Sequence, residues 1–245
     1  MGLETIHSSN PKIQNSTARW RIIPSGCVPT PGQMAYDLEL FKRFRRGDPP
    51  ILRFFYFDHP TLTLGRLEAR RLHQEQLPFP HEIRPTGGRA VLHGEGDLCY
   101  SITATTADPL VGGELLESYR KISALLAEAL RGLGRDVSLS EERRVGIEKG
   151  HCFSAPSFAE LILHGKKVAG GAQAREGGVF HQQGVILLSV APEWSHLFPG
   201  MRDVPMTGLN EGFPGPVLTR ADVERRVRGA FEDAGVRFEK HYITA

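Results

Sequence analysis

The sequence predicts an α+β fold, a mixed, mainly antiparallel sheet packed with helices. Three observations carry this. A tight turn at His164-Gly165 separates an apolar run over 158–163 from a strand beginning near Val168, so consecutive strands return as a hairpin. A second turn, Arg175-Glu-Gly-Gly178, joins that strand to another apolar run over 179–188. Two helical patterns, over 113–133 and from Thr219 onward, stand apart from these strands instead of alternating with them, which disfavours regular βαβ units.

The elements follow in order. Residues 1–19, rich in Ser, Asn, Thr and Pro, read as a flexible tail, and residues 20–245 as a single domain. Trp20-Arg-Ile-Ile opens the ordered chain as a short strand. Met34, Leu38, Phe41 and Phe44 recur at helical spacing up to Arg46, where Gly47-Asp-Pro-Pro ends the helix. Strands are expected over 51–57 and 61–65 around the turn Asp58-His59-Pro60, then a charged helix over 68–76 closed by Pro78 and Pro80. Over 113–133, Leu115, Leu116, Tyr119, Ile122, Leu125, Leu126 and Leu130 define an amphipathic helix stopped by Gly134. The segment 192–216 reads as irregular. Thr219-Arg-Ala-Asp222 is a capping box for a helix running to Ala234, and Val236-Arg-Phe238 is a closing strand.

Composition narrows the function. The chain has 245 residues, 40% hydrophobic and 24% charged, enough to bury a sizeable core. Thirty Lys and Arg against 28 Asp and Glu give a net charge of +2, too balanced for a nucleic-acid binder, although the slight basic excess suits an acidic protein partner. Cys27, Cys99 and Cys152 are odd in number and far apart, which disfavours a disulfide framework or a zinc site. No apolar run reaches membrane length and residues 1–19 carry no signal-peptide core, so a cytoplasmic protein without membrane contact is expected.

Two stretches carry chemistry. In Ile83-Arg-Pro-Thr-Gly-Gly-Arg-Ala-Val-Leu-His93, Gly87 and Gly88 allow φ > 0 and close approach of a ligand to backbone amides, with Arg84 and Arg89 as flanking cations. No nucleotide-binding glycine motif is present. In the second stretch, 151–175, Cys152 lies in a small-residue loop and Lys166 and Lys167 lie just past the His164-Gly165 turn. A hairpin there can bring a lysine back beside the thiol. A thiol of pKa about 8.5 is only roughly 3% ionised at neutral pH, and a neighbouring cation raises that fraction. The plain alternative makes Cys152 a small buried hydrophobe and Lys167 a solvated strand-end charge.

These stretches together resemble the biotin/lipoate ligase superfamily. Arg84-Pro-Thr-Gly-Gly-Arg-Ala-Val-Leu-His93 followed by Leu98-Cys-Tyr-Ser101 is similar to its acyl-pocket signature, Gly165-Lys-Lys-Val-Ala-Gly-Gly-Ala-Gln173 to its lysine motif, and Trp20-Arg-Ile-Ile with the Met34 helix to its N-terminal opening. Arg89 and Cys152-Phe-Ser-Ala-Pro-Ser-Phe-Ala-Glu160 resemble the cysteine-loop octanoyl-acyl-carrier-protein:protein N-octanoyltransferases. The resemblance implies a class II synthetase-like catalytic domain. It also implies Cys152 as carrier of an acyl thioester, Lys167 as the residue that lowers its pKa, and a substrate site of Arg84, Gly87, Gly88, Arg89, Ala90, Val91, His93, Gly170 and Gln173. Val91, Leu92 and Val168 are candidates to line the acyl channel. Octanoyl-acyl carrier protein would be the donor, and a lipoyl domain of a glycine-cleavage H protein or a dehydrogenase E2 subunit the acceptor, with no cofactor and no metal. Gln183, Val185 and Gly171 depart from the family pattern, Gln183 and Val185 by removing polar groups. Two alternatives stand beside this reading: a lipoate-protein ligase that uses ATP and Mg²⁺ through lipoyl-AMP, with no use for Cys152, and a non-catalytic lipoyl-domain binding protein.

Overall fold

The computed structural model describes residues 18–94, 96–141, 157–193 and 206–240. The tail expected over 1–19 lies almost wholly outside them, and order is already present at Ala18. Among the described residues, eleven strands form two sheets. In the larger, β1 (Ala18–Ile23) pairs in parallel with both β11 (Val236–Lys240) and β2 (Ile51–Phe55). Beyond β2 the sheet is antiparallel throughout: β6 (Leu98–Thr105), β10 (Val179–Ile186), β9 (Lys166–Glu176), β8 (Leu161–Leu163) and β7 (Val137–Leu139). The smaller sheet sets β3 (Thr61–Leu64) between a parallel β4 (His81–Ile83) and an antiparallel β5 (Val91–His93). The mixed, mainly antiparallel reading is therefore correct. The turn after β2, however, leads into the second sheet and does not close a hairpin.

Helices α3 (Leu115–Arg131) and α4 (Arg220–Asp233) pack on each other and on one face of the large sheet. Ser118, Ile122, Leu125, Leu126, Ala129 and Leu130 recur at three- and four-residue spacing and form the buried stripe of α3. Leu115 and Leu116, expected on that stripe, are exposed in the first turn, where Glu114 and Glu117 make a capping box. The Thr219-Asp222 capping box of α4 is present, and Gly235 follows with φ 97°, a conformation that disfavours side chains. Trp20 of β1 meets Phe231 of α4 at 5.3 Å between ring centres and Phe238 of β11 at 6.4 Å, tying the parallel edge to this layer.

The opposite face receives α1 (Gln33–Arg43), which ends three residues before the expected Arg46. The predicted helix over 68–76 is instead a single turn, α2 (Arg66–Ala69), and a 3₁₀ turn (Gln74–Gln76), because Ala69 is the one residue of α2 that finds a core to enter. Likewise the strand expected from Phe158 begins only at Leu161, since Ala159 sits at φ 60°. Of the irregular 192–216 segment, the described part forms a single bridge, from Met206 to Lys167. No helix among the described residues is long and apolar enough to cross a membrane.

Beneath α1 lies a buried polar cluster. Asp37 Oδ1 accepts from Arg53 Nη1 at 2.7 Å and from Ser101 Oγ at 2.9 Å, Oδ2 accepts from Gln183 Nε2 at 2.6 Å, and His181 Nε2 stands 3.6 Å away. The Arg53 guanidinium also bonds Gln33 and lies over the rings of Tyr36 and Phe55, at 4.8 and 4.3 Å. Burial alone would raise the Asp37 carboxyl, but Arg53, then His181 and Ser101, hold it well below the usual carboxylate range. Asp37→Asn leaves the buried guanidinium without its counter-charge and is expected to lower the unfolding free energy by about 3–5 kcal/mol in urea denaturation. In the wild type, this pair's contribution is present above the unfolded carboxyl pKa of about 3.9 and declines as pH falls toward the depressed folded value.

Candidate active site

The two sheets meet along a cleft that is open to solvent, with about 430 Å³ of empty space when the open mouth is counted. The small sheet and its loop contribute Thr63, Arg84, Val91 and His93; the large sheet contributes Phe55, Gly170, Gly171, Ala172, Gln183, Gly184 and Val185; and Met34 comes from the start of α1. The lining is largely apolar and suits an extended hydrocarbon chain. Four residues expected from the sequence, Arg84, Val91, His93 and Gly170, lie on this lining. Leu92 and Val168, candidates for the channel, are instead fully buried in the cores beside it.

Arg84, read from the sequence as a flanking cation, is buried, and it braces the loop. Its guanidinium donates to Thr63 O and Oγ1 at 2.7 and 2.8 Å, to Gly87 O at 3.1 Å and to Arg89 O at 2.7 Å. Of the glycine pair only Gly88 has positive φ, 93°. The loop lies so close over the start of α2 that a Cβ at Gly65 would meet Gly88 O at 2.0 Å. Ala90 is buried against Leu64 and Ala69, and Arg89 is half-buried. Gln173 is engaged away from the cleft lining: its Nε2 donates to Ser118 Oγ at 3.1 Å and to Gln182 Oε1 at 3.0 Å, and its Oε1 accepts from Arg175 Nε at 2.6 Å.

Lys167 is not a solvated strand-end charge. Strand alternation turns Lys166 outward and Lys167 inward, with no exposed surface, and its Nζ donates to Glu160 Oε1 at 2.6 Å. The other Glu160 oxygen, Oε2, accepts from the Ser157 amide at 2.6 Å. This ion pair lies over Gly170, where a Cβ would come within 2.6 Å of Lys167 Cε and 2.8 Å of both Nζ and Glu160 Oε1. The missing side chain at Gly170 thus gives the lysine a path to the cleft wall. From the sequence Glu160 receives no functional role: it is a lone carboxylate inside the apolar run over 158–163, and only the fold brings Lys167 beside it. Cys152 lies outside the described residues.

Gln183, expected to cost the pocket a polar group, is instead fully engaged. Its Nε2 donates to Asp37, as described above, and faces Met34 Sδ at 3.2 Å, while its Oε1 accepts from Thr86 Oγ1 at 3.3 Å. It therefore links the buried cluster under α1 to the glycine loop. Gly171 and Gly184 face each other across β9 and β10, and a Cβ at Gly184 would strike the Tyr100 ring at 2.4 Å, so these glycines make room for Tyr100.

A second thiol needs separate treatment. Cys99 Sγ lies 3.3 Å from His93 Nδ1, the arrangement expected of a thiol–imidazole pair. Electrostatics opposes proton transfer between them. Burial, then the Asp97 carboxylate, push the thiol well up, while burial and the Arg84 guanidinium push His93 down to about 3. Thr63 Oγ1 accepts from Arg84 Nη1 and lies 2.8 Å from His93 Nε2, so the imidazole is held between the hydroxyl and the thiol. Peptide mapping after iodoacetamide treatment of the native protein between pH 7 and 9 is expected to find Cys99 unmodified, and to find it labelled once the chain is unfolded. His93 contributes a pH dependence of its own. Between about 6.5 and 3 the unfolded imidazole binds a proton and the folded one does not, so stability falls as pH falls through that window. In chemical denaturation at pH 7 and pH 5, His93→Gln is expected to show a smaller stability difference than the wild type.

Comparison with known proteins places this geometry. The family described as lipoyl protein ligase A/B catalytic domain matches residues 30–232. A protein of Kyrpidia tusciae named Octanoyltransferase LipM is 36% identical over 250 residues, covering 92% of this chain and 91% of that protein. The Bacillus subtilis protein of the same name is 34% identical over 186 residues, 70% of this chain and 66% of its own length. Among solved structures, a lipoate-protein ligase A bound with ATP shares the fold with a TM-score of 0.73 at 22% identity, over 92% of this chain and 90% of that one. A bi-partite lipoate protein ligase from Thermoplasma acidophilum, studied with its E2 lipoyl domain, gives 0.68 at 19% identity, over 92% and 88%. The solved structures speak for the fold alone, and the sequence relatives for the chemistry. The chain belongs to the lipoyl protein ligase A/B catalytic domain family and, within it, to the octanoyltransferases.

Proposed function

We propose that this octanoyltransferase takes its acyl group from octanoyl-acyl carrier protein, holds it on Cys152 as a thioester and passes it to a lysine of a lipoyl domain, in a glycine-cleavage H protein or a dehydrogenase E2 subunit. In the first half-reaction the Cys152 thiolate attacks the donor carbonyl. A new C–S bond forms, the bond to the carrier sulfur breaks, and the carrier leaves as a thiolate that takes up a proton. In the second, the acceptor ε-amine attacks the acyl-enzyme carbonyl, the C–N bond forms and the Cys152 thiolate is released. The incoming ammonium must first lose a proton, and this reading gives it to the Glu160 carboxylate, since its partner Lys167 is already an ammonium. Backbone amides of the Gly87-Gly88 loop are candidates to stabilise the oxyanion. The donor thioester is already activated, so neither ATP nor a metal ion enters these steps.

The observation that carries this reading is the buried Lys167 ammonium over Gly170, on the wall of a cleft whose lining suits a hydrocarbon chain. Each methylene that leaves water there contributes about 0.8 kcal/mol, and a saturated eight-carbon chain asks for no polar partner along its length. Intact-mass spectrometry after mixing with octanoyl-acyl carrier protein, without ATP, is expected to show a hydroxylamine-labile gain of about 126 Da on the wild type and none on Cys152→Ala. No adduct, together with ATP-dependent lipoate transfer by both proteins, would replace this reading with the adenylating ligase.

A further inference from the structure

The outer surface of the glycine loop carries an unusual concentration of unmatched charge and apolar area. The stretch 66–72 reads Arg-Leu-Glu-Ala-Arg-Arg-Leu. It is fixed to the loop by Arg66 N donating to Thr86 O at 3.2 Å, by the close contact of Gly65 with Gly88, and by Ala69 packing beside Leu64 and Ala90. With that side anchored, Arg66, Arg70 and Arg71 stand exposed, and so do Leu67, at 64%, and Leu72, at 38%. Ile83, 46% exposed, lies on the neighbouring strand opposite Leu64. The one acid of the stretch, Glu68, turns inward, half-buried beside Arg84 and Arg89 and accepting from the Ala90 amide. The next, Glu75, lies 3.5 Å from His73. None of Arg66, Arg70 and Arg71 has an ion-pair partner among the described residues, whereas on α4 Arg225, Arg226 and Arg228 each reach a carboxylate within 3.2 Å.

We propose that this face is the docking surface for the donor carrier, an acidic protein that sets carboxylates on Arg66, Arg70 and Arg71 and an apolar side chain on Leu67. The inference rests on the two-step transfer proposed above. Charge complementarity selects an acidic partner, and the exposed leucines select one that also presents an apolar contact. The donor is favoured over the acceptor because its acyl chain must enter the cleft while still tethered to the carrier, which holds the carrier body against the cleft mouth. The acceptor meets an acyl group that has already left its carrier.

The test compares two donors, octanoyl-acyl carrier protein and octanoyl-pantetheine, with the wild type and the triple variant Arg66→Glu/Arg70→Glu/Arg71→Glu. The small thioester carries the same reacting bond without the protein body, so its turnover also reports that the variant has folded. For the wild type, kcat/KM with the carrier-borne donor is expected to fall as salt rises. For the variant it is expected to be about tenfold or more lower at low salt and to lose that salt dependence, while octanoyl-pantetheine is used equally well by both. Equal effects on both donors, no effect on either, or a change confined to the KM of the acceptor lipoyl domain would overturn the assignment while leaving the transfer reading intact. A wild type that uses octanoyl-pantetheine but not the carrier-borne donor would overturn both.

Discussion

The ion pair between Asp37 and Arg53 is the constraint on which the functional half of the molecule depends. Asp37 belongs to α1, Arg53 to β2, Ser101 to β6 and Gln183 to β10, and all four side chains are buried in one hydrogen-bonded group. Two charges removed from water in this way add little net stability compared with an apolar replacement, but neither can lose its partner cheaply. The pair therefore acts as a registry device. It fixes how α1 lies across three strands, and through Gln183 and Thr86 it reaches the glycine loop at the cleft mouth. Met34, at the other end of the same helical turn, is thereby fixed in the cleft wall.

The cleft follows a different rule. Its chemistry depends on what is missing. Gly170 gives the lysine its path, Gly184 gives the Tyr100 ring its place, and Gly65 admits the loop. His93, on the wall, and Cys99, in the core beside it, suggest a nucleophilic pair as bare residue types, but burial favours the neutral form of both. The buried ion pair packed against Gly170 of the cleft lining, Lys167 with Glu160, is also anchored to the Ser157 amide and lies beside a residue in the left-handed conformation, Ala159. Backbone strain at that point goes with the position at which the carboxylate is held.

Much of the fold was legible because its signals are local. The 164–165 and 175–178 turns, the Thr219 cap and most of the α3 stripe follow from φ preferences and period, whereas the burial of Lys167 beside an exposed Lys166 was not read from them. What failed was also local in cause. The 68–76 stretch has helical composition, yet Ala69 is its one buried residue among those whose burial is described, and five exposed and two half-buried residues around it do not sustain a long helix. Phe158 and Ala159 have strand composition, but the Glu160 carboxylate and the Ser140 backbone take up the hydrogen bonds a longer strand would need.

By itself the sequence determined the family, the order of the elements and the residue types at the cleft, since motif spacing, capping and periodicity are written along the chain. The tertiary structure alone decided what those residues do. Arg84, spaced like a ligand-binding cation, becomes a brace for its own loop. Glu160, a lone carboxylate inside an apolar run, becomes the counter-charge of the buried lysine. Gln183, which as a residue type reads as a lost polar group, becomes the link between Asp37 and Thr86. In each case the role depends on a partner far along the chain or on the other sheet, and on burial that strengthens the interaction and makes an unpaired group costly. Neither the identity of that partner nor the degree of burial is encoded in the neighbouring residues.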